Sequence, residues 1–302
     1  MNFLKKYTFY FIILLFFCSC GRSAEEQKRI SRAQQDSLRV KDSLALKVAV
    51  LPTLDCLPIF VAKDSHLFDT LGVDVHLRFF NAQMDCDTAI AGGGIEGYVT
   101  DLVRAQRLSK QGVSLEYVTA TNASWQLIAN RKARLRRLGQ LGDKMVAMTR
   151  YSATDYLTQQ TLDTVKLQEK VFHIQINNVK LRLAMLLNNE MDAMWLPEPQ
   201  ATKARLHGHN VLADSRKLGV NFGVIAFRKD KVAGQRRSGQ LQKIVQAYNM
   251  ACDSINKNGF KHYAKLLQKY TDVDTKVVGA LPLLKYEHAH KPLAKDVLKA
   301  AE

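Results

Sequence analysis

After residue 17 the 302-residue sequence has no second long apolar segment, and it has none of the short motifs of common enzyme classes. A Gly-x-Ser-x-Gly elbow, a His-Glu-x-x-His zinc motif and a Walker phosphate loop are all missing. Gly92-Gly93-Gly94 is not followed by the Lys-Ser/Thr pair that a phosphate loop needs. We therefore expect no enzyme activity, no cofactor and no metal. There is also no internal repeat and no low-complexity run, which argues against a repeat array.

The N-terminus has the pattern of an export signal. The basic pair Lys5-Lys6 precedes an apolar run over residues 9–17, which has signal-peptide length and is short for a transmembrane helix. Ser19 before Cys20 resembles a bacterial lipobox, where the signal is cut before a cysteine that takes a lipid. We therefore predict a signal peptide over residues 1–19 and a lipid on Cys20. An uncleaved signal anchor is the alternative.

The charge balance is strongly basic, with 44 Lys and Arg against 28 Asp and Glu and a formal charge of +16. Loss of Lys5 and Lys6 with the signal lowers this charge to +14. In an exported protein such a charge favours anionic surfaces, such as lipid headgroups, over nucleic acid. The densest basic run, residues 131–137, is either a solvated face or a docking patch for a permease or for acidic headgroups.

The length that remains after the signal is enough for two modest lobes, each with its own core. The stretch before the first strand is polar and highly charged, which indicates a flexible tether. The apolar residues in this stretch are spaced almost as a heptad, so a frayed helix is the alternative. The predicted organisation is a signal peptide over residues 1–19, a lipidated tether over 20–45, the first part of lobe 1 over 46–122, lobe 2 over 123–222, and a return to lobe 1 with C-terminal helices over 223–302.

Strands and helices alternate along the predicted lobes. Residues 46–51 have the β-branched pattern of a buried strand, and residues 73–79 alternate apolar and polar like a half-buried one. A short helix is predicted over residues 88–91, after a turn at Asp85-Cys86-Asp87. The βαβαβαβ order in the first half indicates an α/β fold with a mostly parallel sheet covered on both faces. The last seventy residues are predicted to be amphipathic helices.

Five segments carry short motifs in a fixed order, and they are residues 58–68, 71–75, 138–147, 186–193 and 195–199. In order and spacing they resemble the substrate-binding proteins of ABC importers that bind thiamine-precursor pyrimidines, sulfonates or nitrate. Those proteins carry P…A…G-x-F and then G-(L/V)-x-V, later DL-x-GK-x-(V/I)-A, L-x-x-G-x-(I/V)-D-A, and finally W-x-P or EP. His66 and Asn189 stand where the family usually has glycine, and Gly142-Asp143-Lys144 also departs from the pattern.

The resemblance implies a type II periplasmic-binding fold, with two α/β lobes joined by two crossovers and a ligand between them. It implies an exported, lipid-anchored, monomeric protein that closes on a small molecule and delivers it to an ABC permease. One rival is an enzyme on the same fold, of the pyrimidine or menaquinone type. The exported start and the missing cysteine-rich iron motif argue against it. The other rival is a structural envelope lipoprotein that binds anionic polymer.

Candidate ligand-binding residues are found at the strand-to-helix turns. In an open α/β sheet, ligands lie beyond the carboxyl ends of the strands, where the first N–H groups of helices are unpaired. The candidates are Asp55, Cys56, Leu57, Asp85, Cys86, Thr100, Asp101, Asn122, Tyr151, Ser152, Thr154, Trp195, Glu198 and Asn221.

Structural alternatives exist for several of these candidates. Asp85, Asp101 and Ser152 are also typical N-cap residues, each worth about 1 kcal/mol of stability. Trp195 is suited equally to stacking on a ligand and to the core. The turns are richer in Asp and Glu than an anion site requires. This composition favours a nitrogen-containing ligand with amino or ring N–H donors over nitrate or sulfonate.

Three cysteines besides Cys20 remain after export into an oxidising compartment. Cys56 and Cys86 follow aspartates at turns on the same end of one lobe. A disulfide between them is one expectation, and two small buried thiols are the alternative. A metal site from these cysteines and the preceding aspartates is less favoured, and the two His-x-His pairs lack companion ligands.

Overall fold

The structure is a computed structural model that describes residues 24–301. Its first element is α1 (Ala24–Leu44), a single helix in the segment predicted as a tether. This helix belongs to a unit separate from the one that begins at Ala45. The predicted signal peptide and the lipid on Cys20 lie outside the described residues. Within the described part of the chain, no helix has both the length and the apolar character of a membrane span.

The unit that begins at Ala45 contains two five-stranded sheets. Each sheet has four strands that run in one direction and one that runs against them. The strands are β1 (Leu46–Val50), β2 (Val75–Phe79), β3 (Gly97–Asp101), β4 (Leu115–Ala120), β5 (Trp125–Ala129), β6 (Met145–Met148), β7 (Phe172–Gln175), β8 (Ala193–Pro197), β9 (Asn210–Asp214) and β10 (Gly223–Arg228).

Helices flank both sheets and fill most of the C-terminal part. In lobe 1 and at the C-terminus they are α2 (Leu57–Asp64), α3 (Leu67–Thr70), α4 (Gln83–Ala91), α5 (Leu102–Lys110), α9 (Lys229–Val232), α10 (Gln235–His262), α11 (Ala264–Thr271), α12 (Thr275–Gly279) and α13 (Ala294–Lys299). In lobe 2 they are α6 (Ala153–Leu162), α7 (Val179–Leu187) and α8 (Gln200–Leu206).

The strand order shows two lobes joined by two crossovers. Lobe 1 has the order β2-β1-β3-β10-β4, and lobe 2 has the order β7-β6-β8-β5-β9. The chain leaves lobe 1 through residues 121–124 and returns through residues 215–222. The structure therefore confirms the predicted fold class, a two-lobed α/β fold of the type II periplasmic-binding kind with mostly parallel sheets.

Two features explain why the first sheet forms where it does. The β1 residues Val48 and Val50 are buried, as their β-branched pattern predicts. At Gly97 a Cβ atom would lie 2.5 Å from the ring of Phe227 on the neighbouring strand. Because Gly97 has no side chain, the Phe227 ring can lie across β3 and fill the core between β3 and β10.

Some predicted boundaries were wrong. Helix α4 begins at Gln83, so Asp85-Cys86-Asp87 lies inside the helix and not in a turn before it. The start was missed because the residue before it, Ala82, has no capping side chain. Trp195 lies at the centre of strand β8. Gly259 interrupts Gln235–His262 with a non-helical conformation, at a φ of 71°.

Candidate functional site

A small cavity lies between the two lobes, beyond the carboxyl ends of the strands. We define the interlobe cavity by Thr53, Asp55 and Thr100 of lobe 1, Arg182 of lobe 2, and Trp125 where the first crossover enters β5. Its volume is about 20 Å³, which is room for about one water molecule. The two lobes are therefore closed on each other.

Backbone hydrogen bonds hold this closed arrangement. The Leu54 N–H donates to the Glu198 carbonyl at 2.9 Å, and the Val179 N–H donates to the Asn81 carbonyl at 3.0 Å. The Gln200 side-chain amide donates to the Pro52 carbonyl at 2.8 Å. Each bond joins a loop of lobe 1 to a helix start or strand end of lobe 2, so the loops around the cavity set the distance between the lobes.

One carboxylate, Asp101, contacts helices of both lobes. Its Oδ1 atom accepts from the Arg104 N–H, which caps α5, and from the Ala153 N–H at the start of α6, both at 3.1 Å. The other oxygen, Oδ2, is buried and has no partner. Burial raises the pKa of Asp101 to about 7, and the Arg104 guanidinium opposes this increase.

The remaining acidic side chains near the lobe contact are mostly compensated. Asp87 forms an ion pair with the fully buried Arg104. The Glu198 carboxylate accepts from the Thr202 N–H and pairs with Arg205 at 2.8 Å. The excess of Asp and Glu that was noted in the sequence therefore does not give an uncompensated negative charge at these two positions.

Arg182 on α7 has the opposite character, because it is a buried cation without a carboxylate partner. The side chain is 2 % exposed and lines the interlobe cavity. One guanidinium nitrogen donates to the Trp195 carbonyl at 2.7 Å, and Nε has no partner. Burial lowers the pKa of Arg182 to about 10, so the side chain stays charged at neutral pH. No carboxylate of the described residues forms an ion pair with it.

Lobe 1 contributes two polar groups to the same cavity. Thr100 is buried and, together with Asp55, lines the cavity from lobe 1. Burial raises the pKa of Asp55. Polar groups from both lobes therefore face one space, and one of them carries a positive charge.

The match to the NMT1-like family covers residues 41–268. The chain belongs to the NMT1-like family. No curated protein matches the chain at the sequence level. Several solved structures share the fold of this chain at low sequence identity.

The alkanesulfonate-binding protein SsuA from Xanthomonas axonopodis pv. citri, bound to MOPS, has a TM-score of 0.71 and 18% identity, over 85% of this chain and 89% of that chain. The periplasmic aliphatic sulphonate binding protein SsuA from Escherichia coli has a TM-score of 0.68 and 16% identity, over 85% and 86% of the two chains. The periplasmic nitrate-binding protein NrtA from Synechocystis PCC 6803 has a TM-score of 0.67 and 14% identity, over 78% and 68%. These likenesses show the fold.

In this NMT1-like chain, several predicted site residues do not line the interlobe cavity. Leu57 and Cys86 are in the lobe 1 core, and Asp85 is exposed on α4. The Cys56 thiol accepts from the Leu51 N–H at 3.4 Å. Burial raises the pKa of both thiols. The structure has no bridge between Cys56 and Cys86, because both are free.

The turn before α6 is held together by its own side chains. Ser152 caps the helix by accepting from the Thr154 N–H, and the Thr154 hydroxyl accepts from the Thr149 N–H at 3.0 Å. Tyr151 is 54 % exposed, and the Arg107 guanidinium of lobe 1 lies 4.4 Å from the centre of its ring. The buried members of this turn stabilise α6, and Tyr151 contacts the opposite lobe.

Trp195 lies in the core of lobe 2. It is completely buried, and its indole N–H donates to the Thr158 hydroxyl at 2.9 Å. The aromatic residue on the interlobe cavity is Trp125, which pairs with Pro197 across β5 and β8. The structure thus places a different tryptophan at the cavity from the one that the sequence suggested.

Asn122 and Asn221 lie at a different space, which we call the hinge cavity. It is bounded by the two crossovers and by residues 285–296, and its volume is about 330 Å³. Neither asparagine lines the interlobe cavity. Of the predicted candidates, the structure brings together Asp55 and Thr100 on the interlobe cavity wall, with Asp101 and Glu198 at the lobe contact.

Sequence reasoning missed Arg182, although a signal was present. Val179, Leu183 and Leu186 form the buried face of α7, and Arg182 lies on that same face. A charged residue on the apolar face of a helix needs a partner or a function. The described residues contain no group of three or more His, Cys, Asp or Glu side chains that is arranged to hold a metal ion.

Proposed function

We propose that this NMT1-like chain is an exported solute-binding protein that closes on a small anionic molecule and delivers it to an ABC import permease. One observation carries the proposal. The interlobe cavity is lined by polar side chains of both lobes, and one of them, Arg182, is a buried cation whose Nε atom has no hydrogen-bond partner. A ligand that bonds to Arg182 of lobe 2 and to Thr100 of lobe 1 stabilises the closed state over the open state, which is how binding drives closure.

The charge of the site supports an anion over the ligand with N–H donors that the composition favoured. A buried guanidinium without a carboxylate is costly, and an anionic ligand removes this cost through charge-assisted hydrogen bonds. Similar structures include sulfonate-binding and nitrate-binding proteins. The cavity must widen to admit any molecule larger than water.

Export, anchoring and delivery belong to the same proposal. The sequence pattern over residues 1–19 and the lipidation candidate Cys20 support a lipid anchor on the outer face of a membrane. Two of the similar structures are described as periplasmic. We propose a monomer that binds its ligand without converting it.

The test is a thermal-shift panel on the wild type and on Arg182→Met, with Arg136→Met as the control. Arg136 is an exposed residue of the basic run. Sulfonates, nitrate and carboxylates are compared with pyrimidines and amines. We expect one anion class to raise the Tm of wild type and Arg136→Met by about 5 °C or more at 100-fold excess over Kd. Arg182→Met loses this shift.

The ligand-free Tm separates loss of binding from loss of folding. Because Arg182→Met removes an uncompensated buried charge, its ligand-free Tm should be equal to that of the wild type or higher. An anion shift that persists in Arg182→Met contradicts the proposal, and so does a panel in which only pyrimidines or amines stabilise the protein.

A further inference from the structure

The hinge cavity is separate from the interlobe cavity, and the two share no lining residue. Thr121 and Asn122 of the first crossover and Asn221 of the second form one side. Residues 285–296 form the other side and are fixed to the end of β4, since the Ala120 N–H donates to the His290 carbonyl at 2.7 Å. A volume of about 330 Å³ is typical of small-molecule sites.

Three oxygen atoms in the hinge-cavity lining lack a hydrogen-bond donor. Asp296 is 1 % exposed, and its Oδ1 atom has no partner. The Thr121 hydroxyl and Asn122 Oδ1 are also buried and unpartnered. Almost all buried polar atoms in folded proteins have a partner, and an unpaired carboxylate oxygen is among the most costly exceptions. Lys285 also lines the cavity, but among the described residues it forms no ion pair with Asp296, so the Asp296 carboxylate still lacks a donor.

We propose that the hinge cavity is a second ligand site that binds a small organic ammonium compound. The ammonium group donates to Asp296 Oδ1, which is the charged acceptor of the lining. The walls also include the aromatic side chains Tyr248 and Tyr286, which suit a cation with a short carbon body. The second carboxylate of the lining, Glu287, is paired with His290 at 3.2 Å.

A ligand in the hinge cavity would contact residues that hold the lobes closed. The Tyr286 hydroxyl donates to the Leu54 carbonyl at 2.9 Å, and the Leu54 N–H donates to the Glu198 carbonyl of lobe 2. The Thr121 N–H donates to the Gly223 carbonyl at 2.9 Å and joins the first crossover to β10. The ammonium compound and the interlobe ligand should therefore change each other's affinity by the same factor. This consequence rests on the proposed function, whereas binding to the hinge cavity does not.

The experiment is calorimetric titration of the purified full chain with butylamine, ethanolamine and putrescine, with butanol and butanediol as neutral controls. Asp296→Asn and Thr121→Val remove one acceptor each with little change of shape. Asp143→Asn removes an exposed charge in lobe 2 and is the matched control. We expect an amine to bind the wild type and Asp143→Asn, and the alcohols not to bind. Asp296→Asn should weaken amine binding about tenfold or more, and Thr121→Val should weaken it less.

Amine binding that is unchanged in both Asp296→Asn and Thr121→Val overturns the proposal, as does a wild type that binds no amine. Arg182→Met distinguishes the two sites. It should retain amine binding even if it binds no anion, because Arg182 does not line the hinge cavity. Loss of amine binding in Arg182→Met would contradict a separate site. Failure to find any anionic ligand would leave the amine result standing.

Discussion

At the scale of single residues, Asp101 connects the two lobes more directly than any other predicted candidate. A single oxygen accepts from the first turns of α5 and α6, which belong to opposite lobes. An N-cap aspartate was expected in the sequence. The contact between Asp101 and α6 was not expected, because sequence spacing does not show which helix of the other lobe reaches the same carboxylate.

We predict that Asp101 makes the stability of the protein depend on pH between about 4 and 7. The pKa of Asp101 is raised from 3.8 to about 7 in the folded protein. Between these values the folded state keeps a proton that the unfolded state has released, so the free energy of unfolding falls as pH rises. The free energy of unfolding falls by up to about 1.4 kcal/mol per pH unit, and this dependence on pH ends above about pH 7.

Asp101→Asn keeps the accepting oxygen but cannot ionise. Its free energy of unfolding, measured by urea titration, should exceed that of the wild type increasingly from pH 4 to pH 7 and then by a constant amount. Asp87, Arg104 and Tyr98 surround the carboxyl in both proteins, so their effects largely cancel in the difference. A difference that does not vary with pH would show that the Asp101 carboxylate is not destabilised in the folded protein.

The residues of the site were only partly predictable. Asp55 and Thr100 follow strand ends, and the structure places both on the interlobe cavity. Trp195 and Trp125 could not be told apart, because the register between β5 and β8 decides which indole is in the core. Arg182 was not predicted because the candidates were polar residues of strand-to-helix turns. Arg182 instead lies inside helix α7.

At the scale of structural elements, the two crossovers are packed closely at the start of β10. A Cβ atom at Gly223 would lie 2.5 Å from the Ala123 side chain and even nearer to the Thr121 hydroxyl. These contacts are with short side chains on the first crossover, which cannot turn away. Gly223 therefore lets the second crossover lie against the first and fixes the hinge.

We predict that Gly223→Ala destabilises the protein by about 1–3 kcal/mol, because the crossovers must separate. Gly239→Ala in α10 is the matched control, since nothing lies within 4 Å of an added Cβ atom there. That change should be neutral or stabilising by up to about 1 kcal/mol, as expected for alanine in a helix. Thermal unfolding measures both. Equal Tm values for the two variants would contradict the close packing of the hinge.

Most elements were predictable from periodicity, whereas their exact ends were not. β1 is rich in β-branched residues, and the structure places it within one residue of its predicted limits, 46–51. α4 was cut short because Asp85 and Asp87 suggested a cap, although Asp87 is instead buried against Arg104 of the next helix. The ion pair with Arg104, which is distant in sequence, therefore explains why Asp87 does not cap a helix.

At the scale of the whole molecule, the basic charge and the buried charges have different roles. The charged residues of the run over 131–137 are exposed on lobe 2, whereas Ala133 is half-buried and Leu135 is buried in the core. Its use as a docking patch for a permease or a membrane stays a proposal. In our proposal, the charge that decides the ligand class is the guanidinium of Arg182, which is buried and has no carboxylate partner among the described residues. The overall composition could not reveal it.

The most direct test of the central claim is native mass spectrometry of the gently purified protein, with the released molecule identified in negative-ion mode. We predict that the wild type retains one small anion, which is released chemically unchanged, and that Arg182→Met retains none. A wild type that holds a neutral or cationic molecule between its lobes, or an Arg182→Met variant that retains the same anion, would contradict the account of a clamp that closes on a negative charge.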